Sequence, residues 1–367
     1  MKIRVIAITI ILVFLFTGCG NSSSNSSGKK EVELQTLTDC IGREVEVPVS
    51  PEKVAALDSY SGELMVMIGE GERMVAAPNG VKSNSLLQSI YPELEDVSAP
   101  MSNAAINIET LLGLSPDLIL IKDAMYHTEG ERAKLDKTGI PYLVIAYTNM
   151  EDQLYAIDLI SKALGGEGGK KGEQIHKYYS DTIELATALK PQVEAAGKLR
   201  IYHSISEAVR TDGIDTIGND WTSAVGVVNV SVGEDLKLAE NDYLASLEQI
   251  YKWNPDAIIC NEVTTKEYLL ENDKWEGLEA IREGRVYNIP VGVTRWGHRG
   301  SVETYFAILW LGTTFYPDIY SEIDLEHEVK TFYNDILELT IDDEVYEAIL
   351  SGSGIRGRIS GSSNGGR

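Results

Sequence analysis

The chain has 367 residues, a formal net charge of −24 and 43% hydrophobic residues. That length is more than one small core needs and suits two lobes. So acidic a composition excludes nucleic acid as a partner, because its phosphates would be repelled. Three cysteines with no Cys-x-x-Cys exclude a disulfide framework.

Taken in chain order, Lys2 and Arg4 are followed by an apolar stretch from Val5 to Phe16. The stretch is too short to span a bilayer, which takes roughly 20 apolar residues, and suits the h-region of a secretory signal. It runs into Phe16-Thr17-Gly18-Cys19, which resembles the lipobox of bacterial lipoproteins. That resemblance implies a signal peptide over 1–18 and a lipid on Cys19, so that the protein is anchored outside the cytoplasm and does not span the membrane. Residues 19–35 form a tether, rich in Ser, Asn, Gly and Lys from Asn21 to Lys30, that has nothing to bury. Cys40 and Cys260 then remain. They fall in different lobes and read as two separate free thiols.

Beyond the tether, short apolar runs alternate with helical segments, the pattern of an α/β fold with parallel sheets. Val54-Ala55-Ala56-Leu57 reads as a strand and Gly62 to Ile68 as a helix. Tyr142 to Ala146 is a further strand, introduced by Gly139-Ile140-Pro141. The region from Lys170 to Lys190 has apolar residues at helical spacing and reads as one long helix. Leu199 to Tyr202 and Arg285 to Ile289 are strands beyond it. These pieces give an N-terminal lobe over 36–166, a connecting helix over 167–196 and a C-terminal lobe over 197–350. The Gly/Ser/Arg-rich segment 351–367 reads as a disordered tail.

One segment occurs twice. Ile108-Glu109-Thr110-Leu111-Leu112 leads to Ser115-Pro116-Asp117 and the run Leu118-Ile119-Leu120-Ile121. Leu247-Glu248-Gln249-Ile250 leads to Asn254-Pro255-Asp256 and Ala257-Ile258-Ile259-Cys260. Each copy is a short amphipathic helix stopped at a proline, then a strand buried on both faces. Two such copies predict two similar lobes.

Ligands of doubly wound sheets sit outside the carboxyl ends of the strands. The loops there supply the candidate contacts Ser59, Tyr60, Asn79, Tyr126, His127, His203 and Arg210. The loop Arg295-Trp296-Gly297-His298-Arg299-Gly300-Ser301 is the richest. Its Arg295, Trp296, His298 and Arg299 make a basic and aromatic platform just before a helix. It stands out in so acidic a chain.

The opening Thr38-Asp39-Cys40-Ile41-Gly42-Arg43-Glu44-Val45-Glu46-Val47-Pro48, then Pro51-Glu52-Lys53-Val54, resembles that of the class III (cluster A) periplasmic binding proteins. The paired Glu109 and Glu248 segments resemble signatures of the same family. These proteins serve ABC importers of ferric siderophores, haem, cobalamin and some oxyanions. The resemblance implies two Rossmann-like lobes joined by one long rigid helix, with a shallow cleft between them. It implies a monomer that captures a small-molecule ligand and docks on a permease dimer with its cytoplasmic ATPase. Glu109 and Glu248 are the positions that match the family's docking acids. A metal chelate (ferric siderophore, haem or corrinoid) is the expected ligand. A molybdate or tungstate oxyanion is the alternative, and no cofactor is implied.

Enzymatic chemistry has little to stand on. There is no His-Glu-x-x-His and no Gly-x-Ser-x-Gly. Gly165 to Lys170 has the wrong spacing for a phosphate loop, lacks the following Ser/Thr and reads as a plain loop. Five scattered histidines argue against a zinc or manganese carrier.

Overall fold

A computed structural model describes residues 32–102, 105–239 and 242–355. Cys19, the signal and most of the tether lie outside the described residues, as do 356–367. Residues from Glu33 onward form one compact unit.

Two four-stranded parallel sheets organise that unit. The first has the order Met74–Ala76, Val54–Ala56, Leu118–Lys122, Tyr142–Ile145. The second runs Val228–Asn229, Arg200–Ser204, Ala257–Cys260, Val286–Asn288. Counted in chain order within each lobe, both sheets read 2-1-3-4. The chain therefore reverses its winding between the first and third strand of each sheet, which opens a crevice at their carboxyl ends. The strands are apolar runs buried on both faces, as helices covering both sides of a parallel sheet require.

The repeated segments fold alike. Asn107 and Ser246 are N-caps, accepting from Thr110 N at 3.1 Å and Gln249 N at 3.1 Å. The helices Ile108–Leu114 and Leu247–Trp253 each end on a left-handed residue, Ser115 at φ 52° and Asn254 at φ 41°. The aspartate after each proline then ties the next strand to the sheet. Asp117 accepts from Lys53 N at 2.7 Å, and Asp256 from Arg200 N at 2.8 Å.

The connecting helix spans Gly166–Ala196. Its first turn corrects the reading of Gly165 to Lys170 as a loop. Gly168, Gly169 and Gly172 are helical because the helix crosses so close to its neighbour Met150–Leu164. A Cβ on Gly172 would collide with Ser161, and one on Gly168 with Glu70. Close approach, rather than chain reversal, is what these glycines serve. One hydrophobic cluster runs from Val54 and Leu64 through Ile175 and Tyr179 of this helix to Trp221 and Phe306. The lobes thus share a core, which opposes wide hinge bending.

Boundaries shift at both ends. Strand pairing begins at Leu34, inside the segment assigned to the tether. At the other end the chain still packs through Gly352, where a Cβ would strike Asn288 and the Ile289 carbonyl. Residues 351–355 therefore belong to the second lobe rather than to the tail. Cys40 and Cys260 are both free. Burial pushes the Cys40 thiol up to about 11 and that of Cys260 to about 12.

Candidate functional site

At the carboxyl ends of the two sheets, Lys122 and Tyr147 of the first lobe lie within electrostatic reach of His298 and Arg299 of the second. In the first lobe the strand Val54–Ala56 leads to Asp58, which caps the helix Ser59–Met67 by accepting from Ser61 N at 3.0 Å. Ser59 is exposed on the first turn. The adjacent strand ends at Lys122, whose ammonium lies 5.0 Å from the Tyr147 ring. In the second lobe the equivalent strand ends at Cys260, and Asn261 and Glu262 follow it. Arg295 reaches there, donating to Asn261 O at 2.7 Å and to the Glu262 carboxylate at 2.7 Å. His298 and Arg299 are exposed beside it.

Charge is arranged between the two lobes here. His298 is exposed, and its Nδ1 accepts from Gly300 N at 3.2 Å. Desolvation there, then the charges of Arg295, Arg299, His203 and Lys122, hold its imidazole down at about 4. It is neutral at physiological pH. Lys122 from one lobe and Arg299 from the other make no ion pair among the described residues. The remaining described arginines are bonded to carboxylates or carbonyls or, for Arg132, stacked on Tyr126. Two cations without an ion pair among the described residues thus meet near the Tyr147 ring, one from each lobe.

Several expected contacts are placed elsewhere. Trp296 is fully buried and packs against Phe306 at 5.0 Å between ring centroids, so it is core and no platform. Tyr60 is also fully buried; it stacks on Tyr147 at 4.7 Å and donates to Gln153 O at 3.1 Å. Once the helix starts at Ser59 instead of near Gly62, Tyr60 turns inward. His203 is buried between Asp212 at 2.7 Å and Asn261 at 2.8 Å, within hydrogen-bonding reach of both. Burial works against its charge, but Asp212 outweighs that and raises its pKa. Arg210 is committed to Asp242 and Glu207. Tyr126 lies between Arg43 and Arg132 and packs on Tyr142, the first residue of its strand and so away from the carboxyl edge. His127 is exposed and stands edge-on to Tyr126 at 5.6 Å. Asn79 is exposed at the start of the short helix Asn79–Lys82.

The residues that sequence reasoning missed are Lys122, Tyr147, Gln153, Glu63 and Glu303. Lys122 had a signal, as the only charge in its apolar strand, but it closes the strand instead of belonging to the loop after it. Glu303 had none. It precedes the helix Thr304–Phe315 at a buried position, and its carboxylate makes no capping bond but accepts from Thr294 N at 2.9 Å and from the Tyr333 hydroxyl at 2.6 Å. Burial pushes its carboxyl up to about 7. Glu63, buried on the helix of the first lobe, is raised well above the usual range by burial and then by Glu303 and Asp58.

The profile of the periplasmic binding protein family matches residues 54–291. The chain belongs to that family. The span takes in both sheets and both repeated helices. The chain is 26% identical over 299 residues to a Bacillus subtilis protein described as an uncharacterized ABC transporter substrate-binding lipoprotein, YvrC, covering 80% of this chain and 89% of that one. It is 22% identical over 325 residues to the molybdate-binding protein MolA of Haemophilus influenzae, covering 81% and 89%. Among solved structures, a periplasmic solute binding protein from Veillonella parvula superposes with a TM-score of 0.75 at 24% identity, over 88% of this chain and 98% of that one. The family and these relatives are binding proteins; this chain is a binding protein and not an enzyme.

Proposed function

We propose that the chain is the extracytoplasmic substrate-binding subunit of an ABC importer and that it takes an anion between its lobes. The observation that carries the ligand class is a pair of cations with no ion pair among the described residues, Lys122 at the end of the third strand of the first sheet and Arg299 in the loop after the fourth strand of the second. An oxyanion of the molybdate class fits them. It is small enough to touch both walls, and Ser59 and backbone N–H groups at helix starts would complete its contacts. The relationship to a molybdate-binding protein supports this reading. Ligand capture needs little lobe motion, since the lobes share one core and three direct hydrogen bonds. These run from Asn84 to Val293 O, from Gln153 to Arg299 O and from Met150 N to Asp220.

A second reading keeps the same cations and places an anionic metal chelate on them. Its support is the exposure of Ser59, His298 and Arg299, which leaves the rim open to a larger ligand. Its weakness is that Trp296 and Tyr60, the aromatic walls such a ligand would use, are buried. Calorimetric titration with molybdate, tungstate, ferric siderophores, haemin and cobalamin separates the two. Molybdate or tungstate alone should bind; binding of a chelate alone would hand the site to the second reading.

Delivery rests on Glu109 and Glu248. Both are exposed at the second position of matching helices, one on each lobe. Two like charges fixed on one body suit a two-fold permease carrying basic residues. Cys19, with its upstream apolar segment, supplies the membrane anchor. Cys19→Ala should leave the protein unretained by the membrane, which fractionation would read.

A further inference from the structure

Gln153 stands out from the helix that carries it. Its neighbours on the buried face of Met150–Leu164 are Ala156, Ile157 and Ile160, yet this amide is itself fully buried. Three of its four polar groups reach three different parts of the molecule, and the fourth, its backbone N–H, donates to Asn149 O at 3.0 Å. The backbone oxygen accepts from the Tyr60 hydroxyl of the first lobe at 3.1 Å. The side-chain oxygen accepts from the Tyr179 hydroxyl of the connecting helix at 2.7 Å. The side-chain nitrogen donates to the Arg299 carbonyl of the second lobe at 3.1 Å. The amide orientation is settled by chemistry, because a carbonyl only accepts and the nitrogen must therefore face Arg299.

We infer that Gln153 is a positioning residue, which holds the Arg299 backbone so that its guanidinium meets the ligand. The inference rests on the anion reading of the cleft. The ends of the loop are held by Trp296 N donating to Pro290 O at 3.0 Å, Arg295 to Asn261 O at 2.7 Å and Ser301 N to His298 O at 2.9 Å, and two further bonds grip its middle. The Trp221 indole donates to Gly297 O at 3.0 Å, and Gln153 supplies the second grip two residues later. Gly297 takes φ 70° between them and has no room for a Cβ against Trp221. Tyr179 in turn keeps the amide from rotating. The ligand-facing loop of one lobe is thereby referenced to the other lobe and to the long helix, and the cleft width is set by a buried amide rather than by surface contacts.

Gln153→Glu tests this with almost no change in volume. When protonated, a glutamic acid can donate to the Arg299 carbonyl as the amide does. When ionised, it places a carboxylate against that oxygen. The titratable groups around the node are Tyr60, Tyr147, Tyr179, Tyr305 and Arg299, with Asp58, Asp220, Glu63 and Glu303 further along the lobe interface. Each measurement is therefore compared with wild type at the same pH.

Hydrogen exchange of residues 298–301 is the first readout, because it needs no ligand. At pH 5 the variant should exchange within about twofold of wild type, and at pH 9 about tenfold faster, the effect of stranding one buried hydrogen-bond partner. Exchange within the helices Met150–Leu164 and Gly166–Ala196 should not change. Molybdate affinity should weaken by about the same factor at pH 9 only. Tyr179→Phe, which frees the amide without adding charge, should loosen the same segment about threefold. Equal exchange in variant and wild type at both pH values would overturn the inference, as would loosening spread evenly over both helices. Arg299→Ala keeps the two proposals apart. If it leaves anion affinity unchanged, the anion reading falls and takes this inference with it. If it weakens affinity while Gln153→Glu is silent at every pH, this inference alone falls.

Discussion

The two lobes are alike where the repeat lies and unlike where they face each other. The helices at Glu109 and Glu248 share a side-chain N-cap, a left-handed C-cap, a proline and an aspartate that ties down the next strand. The walls of the cleft come from different places, the end of the third strand in one lobe and the loop after the fourth strand in the other. One presents Lys122 beside Ser59; the other presents a loop built from Arg295, His298 and Arg299. A surface that meets a two-fold partner is under pressure to stay duplicated. A surface that surrounds one small ligand is not.

If the duplicated face serves docking, removing both acids should have the largest effect of all. Glu109→Ala with Glu248→Ala should abolish uptake in cells while titration shows ligand affinity unchanged. Loss of affinity would instead move these residues into the cleft and erase the contrast between the two faces. The cleft variants should behave in the opposite way. Lys122→Ala or Arg299→Ala should each weaken anion binding at least about tenfold, from the loss of one charge-assisted bond, and leave docking intact.

The polar groups buried at the lobe interface predict a pH dependence of stability. Glu303 titrates at about 7 in the folded protein against 4.5 as its ordinary value, and Glu63 is raised as well. The folded state then binds more protons than the unfolded one in that window, so these two groups make stability fall as pH rises from about 4.5 to 7. His298 works against them, adding stability as pH rises from about 4 to 6.5. Glu303→Gln should flatten the decline in urea melts across that range; an unchanged pH profile would show that the carboxyl is not neutral when folded. The smallest effects belong to the repeated caps. Asn107→Ala and Ser246→Ala should each cost about 1 kcal/mol, and matching losses would extend the likeness of the two helices to their energetics.

Most of the fold could be read from the chain because period and punctuation carry it. Continuous apolar runs after Pro116-Asp117 and Pro255-Asp256 had to be strands buried on both faces, and their recurrence implied two lobes. The cleft was less legible, for a specific reason. Loop position says which residues come near the strand ends, but not which way each one turns. Trp296 lies in the expected loop, Tyr60 on the first turn of a helix and His203 inside a strand, and all three face the core, because one turn of helix or one hydrogen-bonded neighbour decides between core and cleft. Lys122 was missed by a single residue at a strand end. Glu63, Gln153 and Glu303 are polar groups whose partners lie 93 to 240 positions away in the sequence, or nearby only through folding. No local pattern announces them.

The central claim is that an anion bridges Lys122 and Arg299 across the cleft. Calorimetric titration of molybdate into wild type, the two single alanine variants and the double variant tests it most directly. Shared contact with one ion predicts that wild type binds molybdate and that the double variant loses less affinity than the sum of the single losses. Wild-type affinity for molybdate that survives both substitutions would place the anion elsewhere and contradict the account.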